Sequence, residues 1–395
     1  MKAYILRTEK KLDPFNEHPG GCLIGNKTLE KLRRKILLGL SLEIVVVSDV
    51  SQIDDKQEYI FLHDSLYFTE ELLSEFIAKS RKQKSVTTCA LKSGITTLRT
   101  ATSVQEVKRY PDRVEYNLHY SPEKKYRGGY SYVVIEPDQF STSVPMPEHM
   151  CGSEEYVIPM TEKFIVQVDH WVNLWVVNIM IILAEGARLR RASKRKLFVL
   201  AVKAFSLNKW KILERINRIG RGCDIHPTAY IEGSIVGNDV KIGAGTIIRE
   251  SVIGDNVFIG NGVVVEESVI GEKSTILNGH ILYSVFYPGV FSVTEMVSAS
   301  LIGRNSFIGS KATLTDFRFD GENVMVLKDG VKIDTGNKFL GSCLGHGVYL
   351  GSGCVVAPGR MIPQGLHIAP EKNRIITDSG YESYRLIGEK SITSK

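Results

Sequence analysis

A parallel β-helix behind an α/β domain is the fold that this sequence predicts, on three observations. Aliphatic residues recur at Ile219, Ile225, Ile231, Val236, Ile242, Ile248, Ile253, Ile259, Val265, Ile270, Ile276 and Leu282, in steps of 6, 6 and 5. Six of them (Ile219, Val236, Ile242, Ile253, Ile259 and Ile270) are followed directly by Gly. Ser234, Ser251 and Ser268 keep the same beat of 17 residues, and Ser284 and Ser300 follow at steps of 16. A period near six with aliphatic-Gly pairs marks short strands wound into stacked triangular coils, each coil too small to bury its apolar face alone.

Composition bounds the rest. The chain has 395 residues, enough for two or three domains, and a net charge of +6. That charge is unevenly spread: residues 187–221 hold twelve Lys/Arg against the single acid Glu214, so the remainder nets −5 (6 − 11). The six cysteines lie far apart with no Cys-x-x-Cys, which predicts reduced thiols in a cytoplasm and no metal site. The apolar run at the N-terminus is too short for a signal peptide.

Before the coils, Ala3 to Leu6 reads as a first strand, a helix-like run spans 27–40, and Leu42 to Val47 is strongly apolar. A strand ending at His63-Asp64, a helix from Thr69 to about Arg81, alternating chain over 85–98 and 114–120, and an apolar run ending at Ile135 follow. Strand, helix, strand in that order predicts a parallel, Rossmann-like sheet. This start resembles the sugar-1-phosphate nucleotidylyltransferases: residues 2–6 match their first strand, Gly25-Asn26-Lys27-Thr28 their Asn-Lys-Pro motif, and His63-Asp64 their metal-holding Gly-Asp pair. The loop that should cradle phosphates, residues 7–13, has no glycine and carries Glu9 and Asp13. Phosphate cradling uses backbone N–H groups in tight, Gly-enabled turns. The expectation is a nucleotidyltransferase-like domain that has lost nucleotidyl transfer.

Residues 164–184 are apolar but interrupted by Asp169, His170, Asn173 and Asn178, which predicts a helix buried in the protein rather than one crossing a bilayer. His170 reads as structural. Residues 188–203, from Arg188 to Lys203, mix basic and apolar positions. They can be a solvated linker helix or lie on an anionic membrane surface, leaving the protein cytoplasmic or peripheral to the membrane. No nucleic-acid recognition motif accompanies them.

The repeat breaks at Asp316. Beyond it, Asp329-Gly330 between two alternating runs predicts a β-hairpin. The period returns at Leu344, Leu350, Val356 and Ile362, and residues beyond 370 are a polar tail. Four segments follow: 1–163 (α/β domain), 164–216 (helical, basic connector), 217–370 (β-helix) and 371–395 (tail). Ile225-His226-Pro227, the break at 316–321, the hairpin and residues 333–336, 340–341 and 355–363 resemble the C-terminal half of bifunctional sugar-1-phosphate nucleotidylyltransferase/acetyltransferases. That resemblance implies a left-handed β-helix, a homotrimer, and acetyl-CoA or another acyl-CoA as co-substrate.

The family's general base is a His in Gly-His-x-x-Tyr, accompanied by an Asn before the hairpin and, in one branch, two Lys after it. Here Gly279-His280-Ile281-Leu282-Tyr283 reproduces the first motif, 36 residues before Asp316 (316 − 280), about one coil out of the family's register. Asp316 takes the Asn position, and Glu322 and Met325 take the Lys positions. His280, Tyr283 and His346 are therefore the candidate catalytic residues, and Asp316 and Arg318 the candidate substrate contacts. The implied function is transfer of an acyl group from acyl-CoA to a sugar or nucleotide sugar. The alternative is a non-catalytic trimer that binds a sugar nucleotide or serves as a regulatory scaffold.

Overall fold

The computed structural model describes residues 1–54, 56–122, 131–191 and 205–370, together with Val199 and Val202. The polar tail falls outside the described residues.

The N-terminal domain holds strands β1 (Lys2–Leu6), β2 (Glu43–Val47), β3 (Tyr59–His63), β4 (Thr87–Lys92), β5 (Arg113–Ser121) and β6 (Tyr132–Ile135), with helices α1 (Leu29–Gly39) and α2 (Glu70–Gln83). The sheet order is β6-β4-β5-β3-β1-β2. β1 lies parallel to both β2 and β3, as the strand-helix-strand reading requires, whereas β5 runs antiparallel to β3 and β4. The run over 85–98 is only half strand: beyond β4 it turns into a short helix, Ile95–Arg99. Asp138 accepts hydrogen bonds from the Ile95 and Thr96 N–H groups, which ends the extended chain there.

The second domain is a left-handed parallel β-helix. Two of its faces stack eight strands and the third stacks seven. On the first face Ile219, Val236, Ile253, Ile270 and Phe286 lie in register, and on the second Ile225, Ile242, Ile259 and Ile276. From Val236 and Ile242 onward their inward side chains form one apolar column, with Ile225 partly buried against its end and Ile219 exposed beyond it. One predicted core position is corrected: Ile281, not Leu282, pairs with Val265 and is fully buried. A 16-residue coil shifts the count by one, and in a strand such a slip turns the neighbouring side chain outward.

The periodic serines explain how each coil turns from the third face to the first. Ser234, Ser251, Ser268, Ser284 and Ser300 each donate to the carbonyl two residues earlier, at 2.6–2.8 Å. Each also accepts the N–H of the serine one coil on, ending at Ser342. The bridged residues Glu250, Glu267, Tyr283 and Ala299 have φ of 43°, 42°, 46° and 46°. A non-glycine residue there costs roughly 1–2 kcal/mol, and the serine ladder is what holds four of them.

Helix α3 (Trp171–Arg190) joins the domains. The apolar run of 164–184 is split in two: Ile165–Gln167 pairs with Leu66–Phe68, and the helix begins only after Asp169-His170. By length and composition α3 could cross a membrane, but 78% of its apolar window is buried inside the protein. It packs in one core with Val269, Val285, Leu301 and Cys343, which face outward from the first face of the β-helix. Polar groups lock the joint: Asn178 accepts from Gly25 N–H at 2.8 Å and donates to Leu23 O at 3.1 Å. Asn26 donates to Ile270 O at 2.9 Å. The hairpin appears where Asp329-Gly330 predicts it, between Met325–Lys328 and Val331–Asp334, with both turn residues left-handed at φ 49° and 79°.

Candidate functional site

His280 stands on the third face of the β-helix, on the coil that departs from the repeat. Gly279 before it has φ 104°, and a Cβ there would lie 2.3 Å from Thr294 O, so only glycine lets this coil close. The His280 ring is half-exposed, and its Nε2 lies 2.8 Å from Glu266 Oε2. Glu266 also pairs with Arg249 at 2.8 Å, and Arg249 with Glu232 at 3.1 Å. A line of alternating charge one coil apart thus ends on an imidazole. With Nε2–H donating to Glu266, Nδ1 is the acceptor left over, and it makes no hydrogen bond among the described residues. A carboxylate so placed fixes the tautomer and the orientation of the ring.

The neighbours of His280 line a cavity. His280 pairs in register with Met296, and Leu282 and Tyr283 follow it on the chain. Met296, Leu282, Tyr283, Ser298, Ala299 and Asp316 form the β-helix side of a pocket of about 280 Å³. α3 supplies a second wall through Trp175, Ile179 and Leu183, and the strand pair Phe140–Pro145 and Glu155–Met160 a third. The Trp175 indole N–H donates to Tyr283 O at 2.7 Å, tying helix to corner. Burial, with Glu267 and Glu250 nearby, pushes the Tyr283 hydroxyl well above its ordinary pKa, so it stays a donor. Asp316 accepts from the Ser298 hydroxyl at 2.5 Å.

The structure thus brings together three of the five residues singled out from sequence: Tyr283 and Asp316 in the cavity wall and His280 beside it. It places the other two elsewhere. His346 is flanked by Phe15 (ring centroids 4.9 Å apart), Tyr287 (5.7 Å), Glu17 and Arg304. Its Nδ1 accepts from Arg304 N–H at 2.9 Å, and its Nε2 lies 3.0 Å from the Arg304 Nη1 and 3.1 Å from Glu17 Oε1. Burial, then the Arg304 charge, lowers its pKa to about 4, so the ring is neutral beside Glu17. His346 thus stands at the joint with Phe15, Tyr287 and Arg304, away from the cavity wall. Arg318 likewise lies outside the cavity wall, its guanidinium held by Asp320 (Nε to Oδ1 2.9 Å). His170 is also structural, bonded through both ring nitrogens, to Val172 N–H and Leu327 O, and lowered to about 4 by burial.

The N-terminal motif residues are committed to structure. The Asp64 carboxylate accepts from Thr8 N–H at 3.0 Å and Thr8 Oγ1 at 2.9 Å, lies 2.9 Å from His18 Nε2, and is buried. The glycine-free loop has folded onto Asp64 through Thr8. Gly25-Asn26 forms a tight turn docked on α3 and the β-helix. Arg188 and Arg191 of the basic stretch are turned onto Glu71, Glu162 and Glu185. Residues 192–198, 200–201 and 203–204, on which the membrane expectation rests, lie outside the described residues.

Residues 233–267 match the family described as bacterial transferase hexapeptide (six repeats). That stretch comprises the coils leading up to Gly279-His280. Among solved structures, the chain is similar to the acetyltransferase domain of PglB from Neisseria gonorrhoeae FA1090 in complex with acetyl coenzyme A, at 21% identity and a TM-score of 0.15. The likeness covers 38% of this chain and 52%, about half, of that one. No curated protein matches.

Two residues of this region were not singled out from sequence, Glu266 and Glu267. Their signal was present: they fall one coil before Leu282 and Tyr283, at the same two positions of the repeat. Burial, then Glu250 and Glu266, raise the Glu267 pKa to about 8. A carboxyl held protonated in the folded state up to about pH 8, but only to about 4.5 when unfolded, makes the native protein bind more protons between those values. Stability therefore falls as pH rises from 4.5 to 8. Glu267→Gln should flatten that decline and raise the thermal midpoint at pH 8 by a few degrees, the size expected for about 1–2 kcal/mol. Thermal denaturation of both proteins at pH 5 and pH 8 measures it, and equal slopes would reject the buried-carboxyl assignment.

Proposed function

We propose that this protein is an acyltransferase that moves an acyl group from an acyl-CoA thioester to a sugar or nucleotide-sugar acceptor. The observation that carries the reading is the His280–Glu266 pair beside an apolar cavity, on the coil that breaks the repeat. The match of 233–267 to hexapeptide transferases supports it, and a relative in that fold class is described with acetyl coenzyme A bound. His280 Nδ1 takes the proton from the acceptor hydroxyl or amine as it attacks the thioester carbonyl. Glu266 stabilises the imidazolium that forms, and the same proton goes to the departing thiolate. The Tyr283 hydroxyl, kept protonated by its surroundings, donates to the oxyanion. Removing a positioned base costs about 10²–10⁴ in rate. His280→Ala should accordingly lower acyl transfer at least ~10²-fold, and Glu266→Gln should lower it less while shifting the pH profile. Turnover close to wild type in His280→Ala would defeat the assignment.

A homotrimer is part of the same proposal. The second face of the β-helix carries an outward aromatic stripe, Phe258, Phe291, Phe307 and Tyr349, with Phe291–Phe307 and Phe307–Tyr349 ring centroids 5.5 and 6.1 Å apart. Phe258, Phe291 and Tyr349 are 39–46% exposed, which leaves apolar surface for neighbouring copies to cover. Sedimentation at micromolar concentration should give three chains, and Phe291→Glu should release monomers. A wild-type monomer would contradict the proposal.

Loss of nucleotidyl transfer is supported by the occupation of Asp64 by Thr8 and His18. No pyrophosphate release from nucleoside triphosphates and sugar-1-phosphates is expected. Release that disappears in Asp64→Ala would overturn this part.

A further inference from the structure

The cavity is too large and too apolar for an acetyl group alone. Its walls come from three separate elements: Met146 and Ile158 on the strand-pair side, Ile179 and Leu183 from α3, Leu282 and Met296 from the β-helix. At about 30 Å³ for each small group, the share water has in the liquid, its 280 Å³ holds roughly nine or ten methylenes. Three of its lining residues, Met146, Met180 and Met296, are methionines. Their unbranched, polarizable side chains adapt to a flexible occupant better than to a rigid one.

Polar groups on the cavity wall limit the head group. Arg99 donates to Val157 O at 3.1 Å and to Gly336 O at 3.0 Å and stacks on Tyr156 at 4.1 Å. It has no carboxylate partner among the described residues. Asp316, also in the wall, opposes a free carboxylate. A neutral carbonyl, as in a thioester, satisfies the Arg99 donors without meeting that repulsion.

We infer that the cavity between α3, the strand pair and the third face of the β-helix binds one unbranched acyl chain of about ten carbons as its thioester. The inference deepens the acyl-transfer reading by naming the donor class, and it rests on that reading for the fate of the chain, though not for its binding. Met296 and Leu282 set one wall of the cavity on the coil that carries His280.

Titration calorimetry with S-acyl-N-acetylcysteamine thioesters of two to sixteen carbons tests it, since these carry the chain and the thioester without the nucleotide. Affinity should rise roughly threefold to fourfold per methylene and level off near ten carbons. Val144→Trp and Met296→Trp, both at partly exposed wall positions and checked for folding by circular dichroism, should each weaken the ten-carbon probe at least ~10-fold while sparing the acetyl probe. Sodium decanoate should bind more weakly than the decanoyl thioester, and equal binding would reject the assigned head group. Affinity independent of chain length, or unchanged in both Trp variants, would overturn the inference. His280→Ala should bind the ten-carbon probe as the wild type does. If that variant also transferred acyl groups normally, the base assignment would fail while the chain site stood, so the two failures are separable.

Discussion

The corner between the third and first faces is the constraint on which the rest of this structure depends. Each coil must reverse direction there through a residue in left-handed conformation, and in four coils that residue is not glycine. The serine ladder makes this possible by joining each corner to the next and to its own carbonyl, so no single corner can relax alone. Side chains at these corners are consequently aimed rather than merely tolerated. Glu250, Glu267, Tyr283 and Ala299 succeed one another at one coil position, and the chemistry changes along the column from acidic to aromatic to small. The cavity opens where it becomes small.

The N-terminal domain gains a structural role from the residues that suggest a lost one. Asp64 is consumed by Thr8 and His18, and Gly25-Asn26 is bound to Asn178 and Ile270 O. A buried polar joint of this kind leaves unsatisfied groups, at about 1–3 kcal/mol each, if the surfaces separate. The domain is thereby held as a wall of the cavity. Trp175 reaches across to the Tyr283 carbonyl, so the helix, the corner and the cavity form one rigid unit. His346, packed between Phe15 and Tyr287, closes the same joint on its far side.

The site combines two environments that demand opposite things. A charged line along the third face needs water at one flank, and it keeps one: the His280 and Arg249 side chains are 39% and 40% exposed. The cavity behind needs dry walls and takes them from α3 and the strand pair. A base at the boundary between them can reach a solvated acceptor on one side and an apolar acyl group on the other.

The repeat was legible in the sequence because a strand side chain has only two directions. Ile219 to Ile276 therefore announced the coils, their stacking and the inward column, and Asp329-Gly330 announced the hairpin through its φ requirement. The motif Gly279-His280-x-x-Tyr283 announced the departing coil. What sequence could not place was anything decided by a side chain's outer face. The step of 16 moved the core from Leu282 to Ile281, and with it turned Leu282 toward the cavity. Glu266 became the partner of His280 only because parallel strands one coil apart bring positions 14 residues distant into contact. His346 and Arg318 look as available in sequence as His280 does. Tertiary packing alone closed Phe15, Tyr287 and Glu17 over the one and brought α3 against the β-helix to enclose a cavity, while the other folds onto Asp320, two residues on.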